Sequence, residues 1–351
     1  MTVNMSEDMV SGISDSSVCV IVVAYNPGDE LLSCLNSVKM SEGKIETTVV
    51  VVDNSSDATG RLVIEEAMHQ GNIDVLLTSD SNLGFARAVN VGMRYADGAN
   101  VLLLNPDAVL DPRCLTRLLN AANSDPAIGI ATPVVRSEAG VRTMSAGRLP
   151  TISALLFHYS GLSSIFPRSS MFDGRYLFLK HHSHTDRDVE WAAGCCLLIT
   201  RDTVSEIGCL SERWFMYGED IEYCKRTLDA GKSIRLVAQA TALHSMGVSV
   251  EKAGGPVSVM WPANTFDFYC QAYAPGWLRR TLWRTVFSTG LLSRAATTAL
   301  RSTVKNESLS RARRLARFSR VVWTARPALN RAPDNPPTIT EMYRNDSGET
   351  S

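Results

Sequence analysis

The chain has 351 residues, of which 45% are apolar, 20% charged and 7% aromatic, with a formal net charge of −1. That balance excludes a wholly disordered or collagen-like chain and allows a large core without disulfide staples. None of the eight cysteines forms a C-x-x-C pair and most lie in apolar runs, which reads as reduced core thiols. The start, MTVNMSEDMVSGISDSS, lacks the basic opening and apolar stretch of a signal peptide. No run of about 18 uncharged apolar residues offers a spanning helix, so the expected location is the cytoplasm.

Residues 1–16 read as a loose tail. Residues 18–24 (VCVIVVA), ended by Tyr25, Asn26, Pro27 and Gly28, predict a strand buried on both faces. Residues 29–40 carry apolar side chains at helical spacing. Residues 47–52 predict a second buried strand ending at Asp53, and residues 54–57 offer N-caps for a helix running to Gly71. Residues 73–78 predict a third strand, 82–96 a helix, and 100–104 a fourth strand ended by Asn105-Pro106-Asp107. Asp111 and Pro112 open the next helix, and residues 128–135 predict a fifth strand. Residues 136–188 are less regular and read as an inserted loop region. Residues 189–200 predict one buried strand, 219–230 a helix stopped by Gly231, and 233–243 a strand ending at His244. The alternation predicts an α/β fold with a parallel sheet.

The C-terminal part is different. Between residues 279 and 326, twelve Lys and Arg face one acid, Glu307, so this segment carries +11 and the rest −12. Trp277, Leu282, Trp283, Phe287, Leu291, Leu292, Phe318, Val321, Val322 and Trp323 are interleaved with the basic residues. A basic amphipathic stretch with aromatics over 277–323 suits an anionic membrane surface. The rival readings are a charged face packed on the rest of the chain, an oligomer contact, or nucleic-acid binding, which is not expected. Residues 327–351 are rich in Pro, Asn and Ser and read as a disordered tail.

In an open parallel sheet, ligands bind beyond the carboxyl ends of the strands. Asp53, Asp107 and His244 each follow a predicted strand. Asp53 either caps the next helix or accepts from a nucleoside's hydroxyls or base N–H groups. Asp107 is either a turn residue or a ligand for Mg²⁺ or Mn²⁺, which would clamp a diphosphate. His244 is either a satisfied histidine or a metal ligand, and imidazole favours Mn²⁺. The pair Glu219-Asp220, after Trp214-Phe215-Met216, either answers the helix dipole or supplies a general base whose pKa burial raises. Gly84 at a helix start with Arg87 one turn in could meet phosphate, although this is no Walker or G-x-G-x-x-G loop. His181, His182 and His184 lack the Cys or carboxylate partners of a zinc site and read as a solvated loop.

Taken together, the motifs VIVVAYN, VVVVDNSSD, NLGFARAVNVGM, LLLNPDAVL, VEWAAGCCLLITRD, WFMYGEDIEYCKR and ATALHSMG resemble the inverting family 2 glycosyltransferases. The branch resembled is the bacterial rhamnosyltransferase-like one that builds cell-wall or surface polysaccharides. The resemblance covers residues 17–250. It implies a GT-A fold, a Rossmann-like and mostly parallel sheet flanked by helices, here followed by a basic helical extension over 251–326. It implies that Asp53 reads the nucleobase or ribose, with Ala24 and Tyr25 lining the nucleotide pocket. Asp107 resembles the last carboxylate of the D-x-D metal motif, and His244 the histidine that completes coordination of Mn²⁺ or Mg²⁺. Asn105 occupies the first D-x-D position, where a neutral amide is a poorer ligand. Asp220, paired with Glu219, resembles the catalytic base. Trp191 and Gly194 would shape the sugar pocket, and Arg87 would touch the diphosphate.

The implied reaction moves a sugar from a nucleotide-sugar, dTDP-rhamnose first among them, to a glycan or polyprenyl-diphosphate-linked acceptor at the inner face of the membrane. UDP-galactofuranose and UDP-N-acetylhexosamine are alternative donors. A non-catalytic sugar- or membrane-binding relative is the alternative class, and it should have lost Asp107 or the Glu-Asp pair. A nucleotidyltransferase would want a Gly-rich basic loop after the first strand, where this chain reads AYNPGDE.

Overall fold

The computed structural model describes residues 16–137, 145–166, 169–177, 184–244, 257–300, 306–327 and 339–344. The N-terminal tail up to residue 15, His181 and His182 lie outside these residues, and His184 is exposed. Strands and helices alternate as β1 (Ser17–Ala24), α1 (Glu30–Lys39), β2 (Glu46–Asp53), α2 (Ala58–His69), β3 (Val75–Ser79), α3 (Phe85–Met93) and β4 (Asn100–Leu104). Next come β5 (Ala108–Leu110), α4 (Cys114–Ser124), β6 (Ile128–Arg136), β7 (Ala146–Gly147), α5 (Ile152–Ser160) and α6 (Leu162–Ile165). After them come β8 (Arg187–Val189), β9 (Trp191–Ala192), β10 (Cys196–Ile199), α7 (Arg201–Ile207), α8 (Glu219–Asp229) and β11 (Ser233–His244). Three helices, α9 (Val257–Tyr273), α10 (Trp277–Leu300) and α11 (Asn306–Thr324), precede a last strand, β12 (Ile339–Arg344).

The main sheet has the order β12-β3-β2-β1-β4-β10-β6-β11-β5, with β8 also on β11. Strands β1 to β4, β6 and β11 point one way, while β10, β5, β8 and β12 run against their neighbours. The sheet is therefore mixed and mostly parallel. Both faces are covered, which is why β1 and β2 carry continuous apolar runs rich in valine. Val18, Val20, Val22 and Ala24 join Leu31, Cys34 and Leu35 of α1 on one face. Cys19 and Ile21 meet Ala88 and Val89 of α3 on the other, in a core that also holds Ile221 and Tyr223 of α8.

Four expectations are corrected. The run 189–200 is not one strand: Glu190 accepts from Arg148 Nε and Leu149 N–H, both at 3.0 Å, and draws β9 onto β7. The chain then turns at residues 193–195 before β10. Residues 136–188 are not only loop, because α5 packs Leu155 into a third core with α9, α10 and α11. The tail is not wholly irregular, since β12 pairs antiparallel with the edge strand β3. Helix α4 begins at Cys114, two residues past Pro112, with Asp111 Oδ1 accepting the Arg113 N–H at 3.2 Å.

The third core also revises the basic extension. Trp283, Phe287, Leu291 and Val322 are buried with Phe266, Tyr269 and Cys270, so they face protein. Trp283 Nε1 donates to the Pro150 carbonyl at 2.6 Å. Arg284 and Arg294 lie over the rings of Phe266 and Tyr159. What remains outward is Trp277, Leu278 and Leu282 beside exposed Arg279 and Arg280, with Leu292 and Trp323 further along. No helix among the described residues is long and apolar enough to cross a membrane.

Candidate active site

The strand register gathers the first group. Ala24 pairs with Asp53 and Ile21 with Leu103, so β1, β2 and β4 end side by side. The Asn54 N–H donates to the Ala24 carbonyl at 2.7 Å and locks the two exits together. Asp53 is buried, and its Oδ1 accepts the Ser56 N–H at 2.8 Å. Its Oδ2 lies 3.9 Å from Arg61 Nε. Asp57, not Asp53, caps α2 by accepting the Gly60 N–H at 2.9 Å. Tyr25 follows at the same rim, half-buried. Sequence reasoning missed Asn54. Its Oδ1 accepts the Leu83 N–H at 2.7 Å and its Nδ2 donates to Asn82 Oδ1 at 3.0 Å, which ties the loop before α3 to the end of β2.

The second group is a turn. Asn105-Pro106-Asp107 closes when the Ala108 N–H donates to the Asn105 carbonyl at 3.0 Å. Antiparallel pairing of β5 with β11 sets His244 opposite Ala108. His244 Nε2 thereby lies 3.1 Å from Asp107 Oδ1 and 3.3 Å from Asn105 Nδ2. Burial opposes a charge on this imidazole, but the Asp107 carboxylate and the Cys195 thiol outweigh it and hold the pKa up at about 10. Among the described residues, buried Asp107 Oδ1 has the His244 imidazole as its ion-pair partner and no further hydrogen bond. Among the described residues no three His, Cys, Asp or Glu side chains converge on one point. The donor set here is one carboxylate and one imidazole, so a cation held by it needs further oxygens from a ligand.

The third group is the acid pair. Tyr217 and Gly218 take positive φ angles of 65° and 125° just before α8. A Cβ on Gly218 would come within 3.0 Å of the Trp214 ring, so glycine is required both for the angle and for the space. Glu219 is buried, and its Oε2 has no hydrogen-bond partner among the described residues. Burial, and then the neighbouring Asp220, push its pKa up to about 8. Asp220 is half-buried, and it accepts the Gly194 N–H at 3.3 Å on Oδ2 and the Ile221 N–H at 2.8 Å on Oδ1. Burial raises the Asp220 pKa, while these N–H groups, the Arg175 guanidinium and the Trp191 indole favour the carboxylate. Burial thus raises both pKa values, while Asp220 has the Arg175 guanidinium as an added group that favours its charged form.

One turn connects the groups. Gly194 donates to Asp220, and the carbonyl of the next residue, Cys195, accepts the Asn105 N–H at 3.0 Å. A Cβ on Gly194 would touch Phe85 of α3 at 3.4 Å and Asp220 at 3.6 Å. Trp191 is buried behind this turn, with the Arg175 guanidinium 3.9 Å from its ring centroid. Arg175 lies in the stretch read as loop, and no local pattern singled it out. Its Nε and Nη2 are buried without hydrogen-bond partners among the described residues. Arg87 Nε pairs with Glu212 Oε2 at 3.0 Å, on the loop before α8.

Residues 19–186 match the Glycosyl transferase family 2 family. The chain is 27% identical over 274 residues to the N-acetylglucosaminyl-diphospho-decaprenol L-rhamnosyltransferase of Mycobacterium tuberculosis, covering 75% of this chain and 87% of that one. It is 22% identical over 237 residues to the rhamnosyltransferase WbbL of Escherichia coli, covering 65% and 83% respectively. In fold it is similar to a mannosyltransferase from Pyrobaculum calidifontis solved with GDP-Man and Mn²⁺, with a TM-score of 0.53 at 16% identity over 88% of this chain and 86% of that one.

Proposed function

Residues 19–186 make this chain a family 2 glycosyltransferase of GT-A fold, and on that premise we propose that it transfers L-rhamnose from dTDP-rhamnose, with inversion, to a polyprenyl-diphosphate-linked acceptor. The observation that carries the reading is the turn at Gly194 and Cys195, which sets Asp220 one residue away from the chain segment bonded to Asn105. A group able to take a proton thus adjoins a group able to face a diphosphate. The rhamnose and the lipid-linked acceptor rest on the activity of the mycobacterial relative.

The acceptor hydroxyl is a poor nucleophile at neutral pH. Asp220 takes its proton as the oxygen bonds to the anomeric carbon and the bond to the nucleoside diphosphate breaks on the opposite face. Base assistance of this kind contributes about 10²–10⁴-fold. Asp53, Ala24 and Tyr25 hold the nucleoside at the ends of β1 and β2. Trp191 and Gly194 wall the sugar, and Asn105 orients the donor from the adjacent turn. Asp107 and, once its imidazole has given up the proton it holds beside Asp107, His244 are the side chains that would hold Mn²⁺ or Mg²⁺ together with diphosphate oxygens. When bound there, such an ion supplies positive charge to the departing diphosphate. Glu219 lies enclosed beside Asp220, with its pKa raised by burial and by that neighbour.

The outward Trp277, Leu278 and Leu282 with Arg279 and Arg280 would rest on the anionic inner face of the membrane, where a lipid-linked acceptor is found. The test is a thermal-shift panel of dTDP-rhamnose, UDP-sugars and GDP-sugars, each with Mn²⁺, Mg²⁺ or chelator, followed by turnover on N-acetylglucosaminyl-diphospho-polyprenol. Metal-dependent stabilisation by dTDP-rhamnose and its transfer to the lipid support the reading. Selective stabilisation by another nucleotide-sugar overturns the donor assignment.

A further inference from the structure

We propose that Asp267 of α9 is a positioning residue that sets the Asp220 loop, so that the C-terminal helices are a working part of the transferase; this rests on Asp220 being the base.

The segment leading into α8 is held from two sides. From α3, the Phe85 N–H donates to the Phe215 carbonyl at 2.9 Å, and Asn90 exchanges two 2.9 Å hydrogen bonds with the backbone of Leu210. Gly84, at φ +76°, permits that approach, because a Cβ there would lie 2.3 Å from the Phe215 oxygen. From α9, Asp267 is the single acid of an otherwise neutral, apolar helix, and it is buried. It accepts Arg213 Nε at 2.7 Å and Nη2 at 3.0 Å on its two oxygens, and Trp214 Nε1 at 2.8 Å. One turn earlier, Asn264 Nδ2 donates to the Met216 carbonyl at 2.7 Å.

A buried ion pair is a poor way to gain stability, since an apolar pair of like volume usually does as well. What it supplies here is a fixed place for the loop. Asp267 fixes the Trp214 indole, the indole face sits against Gly218, and Gly218 turns the chain into Glu219 and Asp220. The same helix gives Phe266, Tyr269 and Cys270 to the core shared with α10 and α11. The three-helix unit therefore grips the base loop through one carboxylate and one amide.

The experiment compares Asp267→Ala, Asp267→Asn and Trp214→Phe in the full chain. It reads kcat, donor KM, melting temperature and hydrogen exchange over residues 210–220. Misplacing a reacting group by about 1 Å costs up to about 10²-fold, so Asp267→Ala should lower kcat about tenfold to a hundredfold. Donor KM should stay within about twofold, because Asp53 and Asp107 sit on other elements, and exchange over 213–218 should rise. Asp267→Asn keeps one acceptor oxygen for Trp214 Nε1 and Arg213 Nε but loses the oxygen that meets Arg213 Nη2, and should recover part of kcat. Should Asp267→Ala fail to fold, Trp214→Phe decides: a lower kcat at unchanged melting temperature supports the proposal. Unchanged kcat in a folded Asp267→Ala or in Trp214→Phe overturns it, as does a kcat loss that Asp267→Asn does not restore even in part. Turnover retained by Asp220→Asn would remove the base reading separately, whatever the exchange data show.

Discussion

The backbone N–H of Gly194 donates to Asp220 Oδ2 at 3.3 Å. That contact makes the geometry of one carboxylate depend on the turn between β9 and β10. The same turn, one residue on, holds Asn105 through the Cys195 carbonyl. A shift of this turn would move Asp220 and Asn105 together, the proposed base and the proposed donor-facing amide.

Asp220→Asn keeps the shape and an acceptor for the Gly194 N–H but removes the charge. Turnover should fall about 10²–10⁴-fold, the range that general base catalysis contributes. Donor-induced stabilisation should be unchanged, because Asp53 and Asp107 are intact. Steady-state turnover and thermal shift on one preparation check both halves, and wild-type turnover in the variant would remove Asp220 from the role.

The sheet was legible because β1, β2 and β4 are runs of valine and leucine that only a strand covered on both faces explains. Asp53, Asp107 and His244 were legible because each ends such a run. The break within residues 189–200 was hidden: apolar residues flank Gly194 on both sides, and only the tertiary pairing of Glu190 with Arg148 shows where the strand stops. Strand β12 was missed because pairing with a sheet edge leaves no periodicity in a polar tail. Helical spacing showed that residues 277–323 own an apolar face but not what covers it, so Trp283 and Trp277 looked alike. Arg175 carried no signal. Asp267 did: a lone acid among seventeen residues of an apolar helix asks for a buried partner.

Asp107→Ala should weaken nucleotide-sugar binding in the presence of Mn²⁺ by at least tenfold, about 1.4 kcal/mol, and should abolish the difference between metal and chelator. His244→Ala should act in the same direction, since it removes the second proposed ligand. Titration calorimetry with Mn²⁺ or chelator measures this, and wild-type donor affinity that ignores chelator would count against the site.

Glu219 gives stability a pH dependence of known sign. Its folded pKa is raised to about 8 by burial and by Asp220, from an ordinary value of 4.5. Between these values the unfolded chain releases a proton that the folded one keeps, so the contribution is whole below about 4.5 and is lost as pH rises through about 8. Glu219→Gln should flatten that decline. Melting temperatures from pH 5 to 9 for both proteins test it, and parallel curves would show that Glu219 does not titrate in this window.

Arg175 favours the Asp220 carboxylate across the Trp191 shelf. Removing that cation raises the energy of the charged form, so Arg175→Gln should move the acid limb of the kcat profile to higher pH. At pH well above the limb the rate should approach that of the wild type. An acid limb with an unmoved midpoint would separate Arg175 from the titration of the base.

The two tryptophans of α10 should behave oppositely. Trp277 is 78% exposed beside Arg279 and Arg280, whereas Trp283 is fully enclosed and hydrogen-bonded to Pro150. Basic residues near an anionic bilayer contribute about 1 kcal/mol each, and the term weakens as salt screens it. Trp277→Ala, or Arg279 and Arg280 changed together to Gln, should reduce pelleting with anionic vesicles at low salt and leave the melting temperature unchanged. Trp283→Ala should instead cost about 3–5 kcal/mol of stability, since the third core loses its largest side chain. The folded fraction of that variant should still pellet. Absence of vesicle binding by the wild-type protein at low salt would assign the basic face to another partner, and the stability difference between the two tryptophans would stand regardless.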